Sequence, residues 1–294
     1  MAVFECPLRR RRHAPRELEM SEEASVRERA LVATGEELAV LLHDPSADVL
    51  LALLDNPALD ETQLCLLLER KNLPGEILEE VARRKPLLKS YRVKRSLAFH
   101  PRTPRLISLR LLRDLYLMDL VQAAILPGVS AELKRNAEDQ LLARLPQLPL
   151  GQKITLARRG PARVAGALLA EGHAQVISIV LDNPYMTEAQ ILRALSREKL
   201  PTSVIPAIVH HHKWSITYNV RLALVRHPST PLASVLSYLP ELTVSDLREL
   251  AAPGIVPESL RKYLQAEVQR RMRAGEKAAR RDATPADSST SKQD

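Results

Sequence analysis

The sequence repeats itself at a fixed distance, and that repetition limits the folds open to it. Asp55-Asn56-Pro57 recurs as Asp182-Asn183-Pro184, an offset of 127 residues (182 − 55). With that offset held, Leu73-Pro74 meets Leu200-Pro201 and Tyr91 meets Tyr218. His100-Pro101 meets His227-Pro228, Thr103-Pro104 meets Thr230-Pro231, and Asp119-Leu120 meets Asp246-Leu247. Between 55–104 and 182–231, 16 of 50 positions are identical without a gap. We read a tandem duplication of a unit 127 residues long, and a long internal period is the mark of repeat architectures.

Each copy has the grammar of short helices. In YNVRLALVRHPSTP, Tyr218 to Pro231, the residues Ile216, Val220, Ala223 and Leu224 fall at the spacing of one buried helical stripe. His227-Pro228 stops the helix, because the residue before a proline is pushed out of the α region. Thr230 is placed to cap the next helix through its hydroxyl, with Pro231 at its first position. In the first unit the pattern predicts helices near 46–54, 60–70, 74–84, 91–99, 103–113, 117–125 and 130–145. Asp60 with Gln63, and Thr187 with Gln190, have capping-box spacing. Pro74 and Pro201 open helices. Leu133, Ala137, Leu141 and Leu145 stripe the long helix of the first unit, and Leu260, Leu264, Val268 and Met272 that of the second. Gly160 suits a helix C-terminus.

None of these helices is long enough to be stable alone in water. Stacking neighbour on neighbour buries their stripes, which is the logic of an α-solenoid. The expectation is an all-α, right-handed, HEAT/armadillo-like superhelix of two tandem units, about 38–150 and 151–272, within an array spanning 31–272. Residues 1–30 read as a poorly ordered tail, with the basic run Arg9 to Arg12 before an acidic stretch, and 273–294 as a disordered one. Composition agrees: 21 prolines and 9 glycines suit many proline-started helices, not glycine-turned β-structure.

Two cysteines, Cys6 and Cys65, exclude a disulfide framework. Neither a signal-peptide stretch nor a run of about 18 apolar residues occurs, so the expectation is a cytoplasmic protein without a membrane span. The net charge of +8 is spread out: +1 over 1–30, +3 over 268–294 and +4 over all the rest. That is not the clustered basic footprint of a dedicated nucleic-acid binder.

Residues 44–57 (DPSADVLLALLDNP) and 91–104 (YRVKRSLAFHPRTP) resemble the leucine-rich repeat variant, a module related in shape to HEAT and armadillo arrays. Its valine–arginine pair stands as Val220-Arg221, and as Val93-Lys94 in the first copy. The stretch Leu73 to Arg84 is longer than the short module and implies ordinary HEAT-like helix pairs. The resemblance implies a partner-binding scaffold. Some members of the family carry an iron–sulfur centre ahead of the repeats, but Cys6 alone cannot supply four thiolates.

Candidate chemistry is sparse. Adjacent residues on a helix point about 100° apart, so His210, His211 and His212 would not share a face there, and their counterparts are Arg83, Arg84 and Lys85. His100 and His227 precede prolines at helix ends, where an imidazole meets free carbonyls. No GxSxG, Walker loop, GxGxxG or His-Glu pair occurs. No catalytic residue, cofactor or metal is therefore assigned. Lys94 and Arg221 either form salt bridges to an Asp of a neighbouring repeat or form a positive stripe with Arg92 and Asn219. Trp214, opposite Leu87, is either core or an interface anchor. The expectation is a non-enzymatic scaffold holding a protein or peptide of acidic or mixed charge. Its candidate surface is Arg92, Lys94, Asn219, Arg221, Arg83–Lys85, His210–His212 and Trp214. A nucleic-acid binder is the alternative, weakened by few aromatics (3%). A HEAT-like enzyme without local motifs comes third.

Overall fold

The computed structural model describes residues 26–197 and 199–282, with side chains as far as 275. Every regular element among the described residues is helical. The chain divides into two compact units, Met1–Ala143 and Arg144–Asp294. In the first, residues 26–32 are helical and lead into helices Gly35–Leu41, Ala47–Asp55, Glu61–Glu69, Gly75–Arg83, Tyr91–Phe99, Arg105–Leu112, Leu117–Ile125 and Ala131–Arg144. The second has Leu150–Arg159, Ala162–Glu171, Ala174–Leu181, Glu188–Leu195, Val204–His210, Tyr218–Arg226, Leu232–Tyr238, Val244–Leu250 and Glu258–Asp282. Helices starting at Glu61, Tyr91, Arg105 and Leu117 have partners starting 127 residues on, at Glu188, Tyr218, Leu232 and Val244. The correspondence reaches further forward than 38: residues 26–32 and Gly35–Leu41 answer to the helices Leu150–Arg159 and Ala162–Glu171.

Within each unit, helices pack against their next-but-one neighbours. Ala47–Asp55 lies on Gly75–Arg83, and Glu61–Glu69 on Tyr91–Phe99. In the second unit Ala162–Glu171, Glu188–Leu195 and Tyr218–Arg226 follow one another in the same way. The buried stripes are aliphatic: Leu64, Leu67, Val93 and Leu97 in the first unit, Val164, Leu168, Ile191, Leu195, Val220 and Leu224 in the second. Full burial stabilises by about 1.5–3 kcal/mol per leucine-sized side chain. That sum holds helices of seven to ten residues that would melt alone.

Polar side chains fix the spacing between successive layers by reaching back to backbone about one helix pair earlier. Buried Asn56 donates through Nδ2 to the carbonyls of Ala30 and Ala33, both at 2.8 Å. Its Oδ1 accepts the Ala58 N–H at 2.8 Å. Asn183 repeats this on Ala157 (2.7 Å), Gly160 (3.1 Å) and the Tyr185 N–H (2.7 Å). His100 does the same with a ring: Nδ1 accepts the Arg102 N–H at 3.1 Å, which leaves the proton on Nε2 to meet the Arg70 carbonyl at 2.9 Å. The Tyr91 hydroxyl donates to the Asp119 carboxylate and accepts the Tyr116 N–H at 3.0 Å. Tyr218 repeats it with Asp246 and the Thr243 N–H, again at 3.0 Å. Burial and the Asp119 hydrogen bond push the Tyr91 phenol up to about 12.

Several local expectations are corrected. Thr230 does not start a helix: its hydroxyl donates to the Leu224 carbonyl at 2.6 Å and closes the helix before. Thr103 does likewise to Leu97 at 2.7 Å. Pro231 takes the N-cap position rather than the first helical one. Asp60 forms the full capping box with Gln63, but Thr187 accepts no capping bond. Gln190 lies instead against Gly166, where an added Cβ would come within 2.7 Å of its Oε1. Pro201 precedes its helix by three residues, with Ser203 as N-cap. Gly160 does end its helix, but as an extended C-cap rather than a left-handed one, and its lack of a Cβ makes room for the Leu156 carbonyl. The left-handed helix end belongs to Gly172, at φ 70°. Ile216 precedes its helix and is exposed, while Val220 and Leu224 are buried. Met272 is exposed, and its helix continues to Asp282 instead of fading there. Residues 1–25 and 283–294, with the Arg9–Arg12 run, lie outside the described residues.

Candidate functional site

The cations expected on the partner surface divide into paired and open ones. Lys94 Nζ meets Asp114 at 2.9 Å. Arg221 pairs with the Glu241 carboxylate, and 241 − 114 is again 127. The Lys94 contact is with an aspartate and the Arg221 contact with a glutamate. Asn219 donates to Glu188 at 2.6 Å. Arg83 pairs with Glu80 at 3.0 Å, and Arg84 with Glu80 and Asp55, each at 2.8 Å. The Arg84 hydrogen bond, with help from Arg83, holds the Glu80 carboxyl below its ordinary range. Lys85, Arg92, His210 and His212 are exposed. Trp214 is buried, and its indole N–H donates to the Leu181 carbonyl at 2.9 Å. The Lys213 ammonium lies 4.2 Å from the Trp214 ring centroid.

The histidine run is not helical as a whole. The helix ends at His210, and His211 is its extended C-cap, so the argument from helix faces does not apply to it. The ligand-capable atoms of Asp182, His211 and His212 lie within 4.8 Å of one another. His211 Nδ1 accepts the backbone N–H of Lys213 at 3.2 Å and of Trp214 at 3.4 Å. An imidazole accepting there carries its proton on Nε2, which lies 3.1 Å from Asp182. His211 thus gives Asp182 a hydrogen bond rather than a metal a lone pair. Its counterpart Arg84 meets Asp55, the counterpart of Asp182, at 2.8 Å. The Asp182–His211 pair is a strut that both units build, once with guanidinium and once with imidazole.

Beside it, the second unit holds an open cleft of ≈ 470 Å³ between helices Val204–His210 and Leu232–Tyr238. Arg221 lies at its base with its side chain only 12% exposed. Its Nε donates to the Ser215 carbonyl at 2.6 Å, and its guanidinium lies 5.7 Å from the Tyr238 ring centroid. Burial pushes the Tyr238 phenol up, with Arg221 pulling the other way. Ser234, Ser237 and His210 line the sides. Glu241, the carboxylate on Arg221, is 61% exposed.

The cleft follows from differences between the two copies. Where the second unit has Ala233, Ser234 and Ser237, the first has Leu106, Ile107 and Arg110. Arg110 spans the equivalent groove, its guanidinium reaching the Ala82 carbonyl at 3.5 Å. In the second unit the matching Val209 carbonyl is met at 3.5 Å by the Tyr238 hydroxyl, which leaves the side of Ser237 open. Of the expected surface residues, the cleft brings together His210 and Arg221, while Asn219, Trp214 and His211 are held elsewhere. Ser234, Ser237, Tyr238 and Glu241 were not expected there. A line-by-line comparison of the two units would have found the serines and Glu241, because small residues replace large ones at 233, 234 and 237 while the acid at 114 and 241 persists; Tyr238, opposite Leu111, carries no such signal. Comparison with family models, curated proteins and solved structures found no match.

Proposed function

We propose that the protein is a non-enzymatic helical-repeat scaffold, a HEAT/armadillo-like solenoid of two tandem units. In this reading it holds a protein or peptide partner of acidic or mixed charge. The observation that carries the reading is the Arg221 cleft. A guanidinium preset by a backbone carbonyl and an aromatic ring sits beneath an opening lined with hydroxyls. Such a group recognises carboxylates with little ordering cost on binding. Exposed Lys85 and Arg92 supply positive charge for the encounter. Next-but-one helix packing supports the solenoid reading within each unit, since it propagates by adding pairs.

Affinity capture from nuclease-treated lysate, followed by mass spectrometry, tests the reading. The expected result is a protein partner that survives nuclease and is released as salt rises. Loss of every partner on nuclease treatment, with direct oligonucleotide binding and a steep salt slope, would replace it with a nucleic-acid function.

A further inference from the structure

We infer that the cleft of the second unit is a carboxylate-binding pocket for a glutamate or aspartate side chain of an acidic peptide segment, and that Glu241 is its built-in competitor. The inference rests on the scaffold reading and adds the chemistry of one contact. The occupant is argued from the molecule's own contents. Glu241 already places a carboxylate on Arg221, so the guanidinium is met by the group it would recognise in a partner. Arg221 is nearly buried and anchored at Nε, whereas Glu241 is 61% exposed. An exposed carboxylate of this kind holds its partner weakly and exchanges readily. The first unit has larger side chains at this place, Leu106, Ile107 and Arg110 where the second has Ala233, Ser234 and Ser237, and lysine in place of the planar fork. Of the two units, the second is the one that sets an arginine among small side chains at this place. A guest carboxylate entering past Ser237 would take over the guanidinium, with the Ser234 and Ser237 hydroxyls beside it as donors and His210 at the mouth.

The test uses the full chain and a fluorescent, capped hexaglutamate peptide, with hexaglutamine and hexalysine as controls, followed by anisotropy at physiological salt. Hexaglutamate should bind, and the controls should not. S237R installs the residue of the first unit and plugs the cleft. It also adds a positive charge, so a diffuse basic surface would bind hexaglutamate more tightly, whereas a pocket loses it. S237R and R221K should each weaken binding by about tenfold or more, the scale of losing a charged hydrogen bond. S234I is a neutral plug that guards against misreading the charge, and half-buried Ile107 shows that the first unit accepts isoleucine at the equivalent place. E241Q should strengthen binding by removing the competitor. Unchanged or tighter binding to S237R and S234I, weaker binding to E241Q, or displacement of the peptide by oligothymidylate would each overturn the pocket. A lysate partner retained by S237R would also sink the pocket while leaving the scaffold standing. Failure to capture any protein would sink the scaffold itself.

Discussion

Asn183 shows how much a single buried polar side chain can decide. It is 3% exposed, and its amide satisfies two carbonyls of the preceding layer while its oxygen holds the turn that follows. N183A leaves those buried groups unpaired and should cost about 1–3 kcal/mol in urea unfolding. His227 performs the turn half of the same task, its Nδ1 accepting the Ser229 N–H at 3.2 Å. Burial lowers its pKa, so folding favours the neutral ring. The sign follows directly: its contribution is present above the ordinary histidine pKa and is lost as pH falls through the folded value. H227N keeps an acceptor for the Ser229 N–H and cannot titrate. Its melting temperature should therefore fall less than that of the natural protein between about pH 7 and pH 5. Equal slopes would show that His227 does not carry the dependence.

At the scale of elements, equivalent helices begin at equivalent places by different means. Asp60 caps the helix Glu61–Glu69 through a reciprocal box, whereas Thr187 only occupies the same position before Glu188–Leu195. D60A should cost about 0.5–2 kcal/mol, and T187A a surface-like change near zero. Comparable costs would mean that the threonine caps in solution. Gly172 ends its helix at φ 70°, and an added Cβ would meet Pro201 Cβ at 2.3 Å. G172A should destabilise by more than about 1 kcal/mol, and P201A should restore only part of it, because the left-handed backbone remains. Full rescue by P201A would assign the whole cost to the clash.

For the molecule as a whole, carboxylates held by hydroxyls and arginines tie stability to pH. The Thr243 and Tyr218 hydroxyls hold Asp246 below its ordinary range, and Arg270 with Arg271 does the same for Glu267. Each contributes stability above the ordinary carboxylate pKa and loses it as pH falls through the lowered one. Thermal stability should therefore drop below about pH 4. Y218F should flatten that drop by removing one of the hydroxyls on Asp246, and an unchanged acid limb would show that this contact does not contribute.

What the sequence alone determined is local or periodic. The helix positions follow from apolar spacing and proline breaks, and the helix starts at Glu61 and Glu188, or Tyr91 and Tyr218, follow from the 127-residue offset. Those signals act within a turn or two of helix, so they survive without knowledge of neighbours. Beyond the Asp60–Gln63 capping box, the choice of partner for most polar side chains was not legible, because it depends on which backbone the fold brings near. Thr230 has the same hydroxyl whichever helix it serves, and only packing turns it back to Leu224. Gln190 leaves its capping role because Gly166 offers it a surface. The sequence sets His211 aside on helix-face geometry, and only the fold shows an extended residue whose tautomer is fixed by backbone donors from Lys213 and Trp214. The cleft is a tertiary product in the same sense. Ala233 and Ser237 are unremarked surface residues in the chain, and they make an opening only because Val204–His210 and Arg221 stand across from them.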